Sequence, residues 1–148
     1  MNSKNTIKGL LVAGTKFPKG RFDSGGKIVL DDGGYIEVGA IGECCSDSWI
    51  EDVEEVAYYP CKIMGITSHL MSEGPCKPFG YDGRHTYLKS YAYTVITDNG
   101  YIRFNLRNAS NGYYGGCLSF HRVSQDGTRT KMKGWPYVET AYETRGVK

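Results

Sequence analysis

No C-x-x-C pair occurs among the five cysteines, Cys44, Cys45, Cys61, Cys76 and Cys117, and the three histidines, His69, His85 and His121, share no ligand spacing. The usual structural zinc patterns are therefore excluded, and no metal or cofactor is expected. No apolar run approaches the roughly 20 residues of a membrane helix. The polar start Met1-Asn2-Ser3-Lys4-Asn5 carries no secretory hydrophobic stretch behind it. With an odd cysteine count and no export signal, reduced thiols in a cytoplasmic setting are expected. A charge excess is also missing, since the net charge is only +2 and the pI about 8.2. That balance argues against a duplex nucleic-acid partner, which usually selects a denser basic stripe.

What is present is a chain of 148 residues with 40% apolar residues, 20 Gly and 12 Tyr, read as one turn-rich globular domain over 1–148. Its charges are segregated. Residues 1–74 hold 7 bases and 11 acids, and residues 75–148 hold 11 bases and 5 acids. Between Glu43 and Glu55 there are six acids and no base, whereas Arg103 to Lys133 has six bases and the single acid Asp126. Two such segments in a small domain either face each other and solvent, or leave the basic one as an anion site.

Strand signals dominate the order of elements. Ile7 to Phe17, Lys27 to Leu30 and Tyr35 to Ile41 read as a meander with turns at Gly25-Gly26 and Asp32-Gly33-Gly34. At Ser46 the period changes, because Trp49, Ile50, Val53 and Val56 share a face at helical spacing while Glu51, Asp52, Glu54 and Glu55 take the other. A short amphipathic helix over about residues 47–57 is predicted, capped by Ser46 or Ser48 with Glu51 completing a capping box, and stopped by Pro60. Cys61 to Ile66 reads as a strand and Met71 to Arg84 as a long loop. Tyr87 to Thr97 and Tyr101 to Leu106 form a hairpin through Asn99-Gly100, which sets Val95 opposite Phe104 and Tyr93 opposite Leu106 on a core face. Arg103, Asn105 and Arg107 then lie on the polar face. Cys117 to Val123 follows as a strand with Leu118 and Phe120 inward and Cys117, Ser119 and His121 outward. The expected fold is α+β, a predominantly antiparallel twisted β-sheet with one short helix packed on it.

Two segments carry the chemistry. Gly42-Glu43-Cys44-Cys45-Ser46-Asp47-Ser48-Trp49 runs from a strand end into the predicted helix, where free amides suit an anion but Asp47, Glu51 and Asp52 oppose one. Capping serines, packed thiols and an anchoring Trp49 are the favoured explanation of it. Arg107-Asn108-Ala109-Ser110-Asn111-Gly112-Tyr113-Tyr114-Gly115-Gly116 is longer than a turn requires, and it combines stacking faces, amide edges and a guanidinium fork.

Together, C-C-S-x-S-W and R-N-x-S-N-G-Y-Y-G-G resemble a group of small bacteriophage and prophage proteins of unknown function, over about residues 26–120. Ala109 replaces the commoner Ser, and the two ends are extensions. The resemblance implies a phage accessory protein working in the cytoplasm of its host. The expected function is to bind and sequester a nucleotide-derived host immune signalling molecule. Trp49, Tyr113 and Tyr114 would stack on it, Arg103 and Arg107 would meet phosphates, and Asn108, Ser110 and Asn111 would read base or ribose edges. Arg84 and His85 would close over the ligand, and a homo-oligomer is compatible with such sites. Two alternatives remain open: a protein-directed inhibitor of a host defence complex acting through the acidic segment, and a hydrolase or lyase of a nucleotide signal using His85 or His121.

Overall fold

The computed structural model describes residues 7–43, 46–80, 83–112 and 115–132. Among the described residues, nine strands make up one antiparallel sheet: β1 (Leu11–Lys16), β2 (Gly26–Leu30), β3 (Tyr35–Gly42), β4 (Asp47–Ala57), β5 (Cys61–Phe79), β6 (His85–Thr97), β7 (Gly100–Ser110), β8 (Gly116–Val123) and β9 (Arg129–Lys131). Across the sheet they run β4, β7, β6, β5, β1, β2, β3, β8, β9. β-Branched and aromatic residues alternate with polar ones along most of them, the pattern of a half-buried pleat. No helix among the described residues is long and apolar enough to cross a membrane.

The predicted helix is absent, which corrects the α+β expectation to an all-β fold: residues 47–57 are strand β4, paired with β7 from Asp47↔Ala109 to Ala57↔Gly100. The cause of the misleading period is a β-bulge. Register shifts between Glu51 and Glu54, and Asp52 sits there at φ 57°, a left-handed value that Asp tolerates better than most residues. Crossing a bulge returns the core-facing parity after three residues instead of two, so Ile50 and Val53 both turn toward the core at what looks like helical spacing. Ser46 and Ser48 cap nothing. Ser46 Oγ donates to the carbonyls of Glu43 and Gly115, and Ser48 Oγ donates to Asn108 Oδ1 at 2.7 Å.

The long loop expected over 71–84 is mostly strand, because β5 continues to Phe79. Pro75 and Pro78 fit there because beyond Cys61 and Lys62 the described part of β5 pairs on its β6 side alone, and Pro78 falls in the register shift between Pro75↔Tyr87 and Phe79↔His85. The β6–β7 hairpin forms as expected but with Thr97↔Gly100 closing it, so Asp98-Asn99 is the loop and Tyr93 opposes Phe104. The shift is two residues, so the expected core and polar faces survive. Gly100, at φ 118°, is needed for packing as much as for the turn: a Cβ there would lie 1.8 Å from the Val56 carbonyl oxygen of β4.

The sheet rolls until its two halves share one core. Ile36, Val38 and Phe120 of one half pack in the same cluster as Tyr93, Phe104 and Leu106 of the other. An aromatic chain crosses between them, with Tyr93 stacked on Phe104 at 6.1 Å, Phe104 near Phe17 at 6.4 Å, and Phe17 near Phe22 at 6.0 Å. Phe22 also exchanges both backbone hydrogen bonds with Ile50, so the β1–β2 connection pins the free edge of β4.

Phe104→Ala is expected to lower unfolding free energy by about 3–5 kcal/mol in urea titrations, since it empties the centre of that chain. Gly100→Ala should cost at least about 2 kcal/mol. Gly127→Ala should cost only the roughly 1 kcal/mol of left-handed backbone, because φ is 90° there and a Cβ would meet nothing within 4 Å. Equal losses at the two glycines would contradict the close approach of β4.

Candidate functional site

The β4–β7 pairing puts the acidic segment directly against the basic one. Trp49 lies opposite Arg107, Glu51 opposite Asn105 and Glu54 opposite Arg103. The Asp52 bulge turns two consecutive carboxylates toward the same guanidinium: Arg107 Nη2 donates to Asp52 Oδ2 at 3.1 Å, and its Nε lies 3.4 Å from Glu51 Oε1. Arg107 Nη1 donates to Ser90 Oγ of β6 at 2.7 Å, and Asn105 Nδ2 donates to Asp52 Oδ2. Arg107 is thus an internal tie, and using it on a phosphate requires displacing two carboxylates. Two further acids of β4 are also engaged, Glu54 by Tyr101 and Glu55 by Thr15 and Tyr59. Burial and that Glu55 contact push the Tyr59 phenol up to about 12.

Beside this network stands a cluster of rings. Trp49 is only 7% exposed, its indole Nε1–H donates to Glu51, and the Arg21 guanidinium lies over its ring at 4.3 Å. Phe79 meets Trp49 edge-on at 6.4 Å, and its ring also lies 5.4 Å from that of His85. His85 Nδ1 is buried with no hydrogen-bond partner among the described residues. Arg21, Phe22, Asp23, Asp47, Ser48 and Trp49 line an adjoining cavity of about 240 Å³.

Of the residues singled out in sequence, Trp49, Arg107 and His85 come together here, with Arg103 two positions along on the same face of β7. Arg84 is exposed just before β6, and Asn111 is exposed beyond β7. Asn108 and Ser110, each 2% exposed, turn inward instead. Asn108 accepts from Ser48, and Ser110 Oγ accepts from the Gly112 N–H. Tyr113, Tyr114, Cys44 and Cys45 lie outside the described residues, as does the segment after Met132.

The two signature segments dock on each other. Glu43 N–H donates to the Gly115 carbonyl, Gly115 N–H donates to Glu43 Oε1, and a Cβ on Gly116 would lie 1.9 Å from Ser48 Oγ. Arg21 and Phe79 escaped sequence reading because neither belongs to a motif, and only the rolled sheet brings them to Trp49. The outward face of β8 is a separate surface. There His121 Nδ1 lies 3.3 Å from Ser119 Oγ and 3.4 Å from Arg129. Burial and the Arg129 charge hold its pKa below the ordinary histidine value.

The family described as domain of unknown function DUF7448 matches residues 13–120 of this chain. The uncharacterized protein L278 of Acanthamoeba polyphaga mimivirus is 32% identical over 99 residues, covering 64% of this chain and 75% of that protein. No solved structure matches.

Arg107→Met should destabilise the fold by about 1–2 kcal/mol, by removing the guanidinium that the buried Ser90 hydroxyl and the half-exposed carboxylates of Glu51 and Asp52 share. Chemical denaturation of this variant and of Arg107→Lys checks it, and the lysine should recover only part of the loss because it lacks the fork. For His121, the folded pKa lies below the unfolded one, near 6.5. Between those values the unfolded chain binds more protons, so this group's contribution to stability rises with pH through that window and levels off above it. An NMR titration should give a His121 midpoint below 6.5 that moves upward in Arg129→Gln; a midpoint at or above 6.5 contradicts the crowding by burial and cation.

Proposed function

The chain belongs to the DUF7448 family, and on that footing we propose that it is a viral accessory protein that acts by binding, holding the base of a nucleotide-derived ligand against Trp49. One observation carries the reading: the face of Trp49 is covered by an exposed guanidinium that can leave, beside a cavity large enough for a single base. Arg21 occupies the place of a planar group. A guanidinium on an indole contributes about 0.5–1 kcal/mol at an exposed site, whereas a stacked base contributes about 1–3 kcal/mol. Exchange is therefore favourable, and the released Arg21 becomes free for a charge-assisted bond to the ligand's phosphate.

The polar lining sorts the ligand's two ends. Asp23 and Asp47 accept hydrogen bonds, so they suit the amino and ring N–H edges of a base and repel a phosphate, which then stays at the mouth beside Arg21. His85, whose Nδ1 is unsatisfied among the described residues, offers a further polar contact at the far side of Phe79. The resemblance to phage proteins and the viral relative support a ligand that serves host immune signalling, sequestered in the host cytoplasm. The acidic segment supports a protein-directed inhibitor poorly, because Glu43, Glu51, Asp52, Glu54 and Glu55 already have partners within the chain.

The protein is to be purified from bacterial cells with an active nucleotide-signalling defence, denatured, and its released small molecules measured by mass spectrometry. An intact base-bearing phosphorylated molecule, lost in Arg21→Ala, is the expected result. Returning that molecule to the protein in a Trp135→Phe background should change Trp49 emission. An empty protein whose Trp49 emission is unmoved by nucleotide mono- and oligophosphates overturns the reading.

A further inference from the structure

On the outer face of the other half of the roll, antiparallel register aligns one residue from each of five strands. Lys16 of β1 lies opposite Lys27 of β2, Lys27 opposite Glu37 of β3, Glu37 opposite His121 of β8, and His121 opposite Lys131 of β9. Directly opposed residues project to the same side. With strands about 4.8 Å apart, the row runs roughly 19 Å across the sheet. Arg129 joins it from the neighbouring register position, pairing with Glu37 and approaching His121.

This row is costly to the fold. Like charges set directly opposite destabilise a sheet, yet Lys16 faces Lys27, and Lys131 and Arg129 crowd His121. The one carboxylate in the row, Glu37, is taken up by Arg129. Among the described residues, Lys16, Lys27 and Lys131 have no ion-pair partner, in contrast to Arg107 and Arg122. His121 responds to the same crowding, since burial, Arg129 and Lys131 favour its neutral form. An aromatic ring accompanies the cations: Tyr35, half-buried and one register step away, has the Lys27 ammonium 4.6 Å from its ring centroid.

We propose that this row is a track for the sugar–phosphate backbone of a single-stranded nucleic acid, with one base stacking at Tyr35. A line of cations with a flanking ring matches the two needs of single-strand binding, backbone neutralisation and a sequence-tolerant stacking surface. A duplex hides its base faces and gains nothing from Tyr35. A flexible strand can also follow the turn of about 20–25° that each strand adds across a twisted sheet. The track shares no residue with the cavity beside Trp49, so it stands independently of the ligand proposed there.

The test is fluorescence anisotropy of a labelled dT12 strand with the full chain at 50 and 200 mM salt. Each phosphate neutralised on a single strand contributes about −0.7 to the slope of log K against log salt. A slope near −2 is expected from Lys16, Lys27 and Lys131. The triple variant Lys16→Gln, Lys27→Gln, Lys131→Gln should lose at least tenfold in affinity at 50 mM salt and most of the slope. Tyr35→Leu should weaken binding with the slope retained, and Lys62→Gln, away from the row, should change neither. Absence of salt-dependent binding, or a triple variant that binds as the native chain does, overturns the proposal. Equal affinity for a 12-base-pair duplex overturns the single-strand assignment, and equal affinity for polyglutamate reassigns the surface to an acidic protein.

Discussion

The architecture turns on the bulge at Asp52. An uninterrupted β4 would turn Val53 away from the core and separate the outward-facing carboxylates by two residues. With the bulge, Ile50 and Val53 both face the core, and the adjacent Glu51 and Asp52 both reach Arg107 of β7. The left-handed backbone at Asp52 costs energy, which the Asp52 carboxylate offsets by accepting from Arg107 and Asn105. Trp49, opposite Arg107, takes its position from the same pairing. The candidate site is therefore a consequence of how one strand changes register.

The signature segments work first on each other. Glu43, Ser46 and Ser48 meet Asn108, Gly115 and Gly116 through hydrogen bonds and a backbone approach too close for any side chain at 116. Small and polar residue types in both segments are thus accounted for by a sheet closing on itself: short hydroxyls bridge carbonyls, and glycine admits a neighbouring oxygen. A composition that suits ligand contact also suits chain-to-chain docking, because both require close approach and dense hydrogen bonding. Asn108 and Ser110 serve the second purpose.

The charges divide by surface in a way that net charge hides. On the β4–β7 pair Arg103 and Arg107 lie across from acids, and those acids outnumber them. On the β1–β2–β3–β8–β9 face, Lys16, Lys27 and Lys131 stand in line with one internally satisfied carboxylate. A net charge of +2 is consistent with both faces, since the acid excess on one offsets much of the cation excess on the other. The consequence is a molecule with two chemically different outer surfaces around a shared apolar centre.

Period-two alternation made the meander, the β6–β7 hairpin and the inward residues of β8 legible in the sequence, since strand pleat depends on local spacing alone. Asn99-Gly100 located the hairpin, and the core and polar faces of β7 followed, although the register differs by two because Asp98-Asn99 forms the loop. The β-bulge was illegible because its i, i+3 spacing is the same signal that a helix produces, and only pairing with β7 tells them apart. Pro75 and Pro78 read as a loop because a proline's missing donor matters only where a neighbour needs it, and edge position is a tertiary fact. Residue types and local alternation were determined by the sequence itself. Which faces oppose, that Arg21 covers Trp49, that Arg107 is held by two acids, and that five strands align their cations were decided by the rolled sheet, because those contacts join residues tens of positions apart.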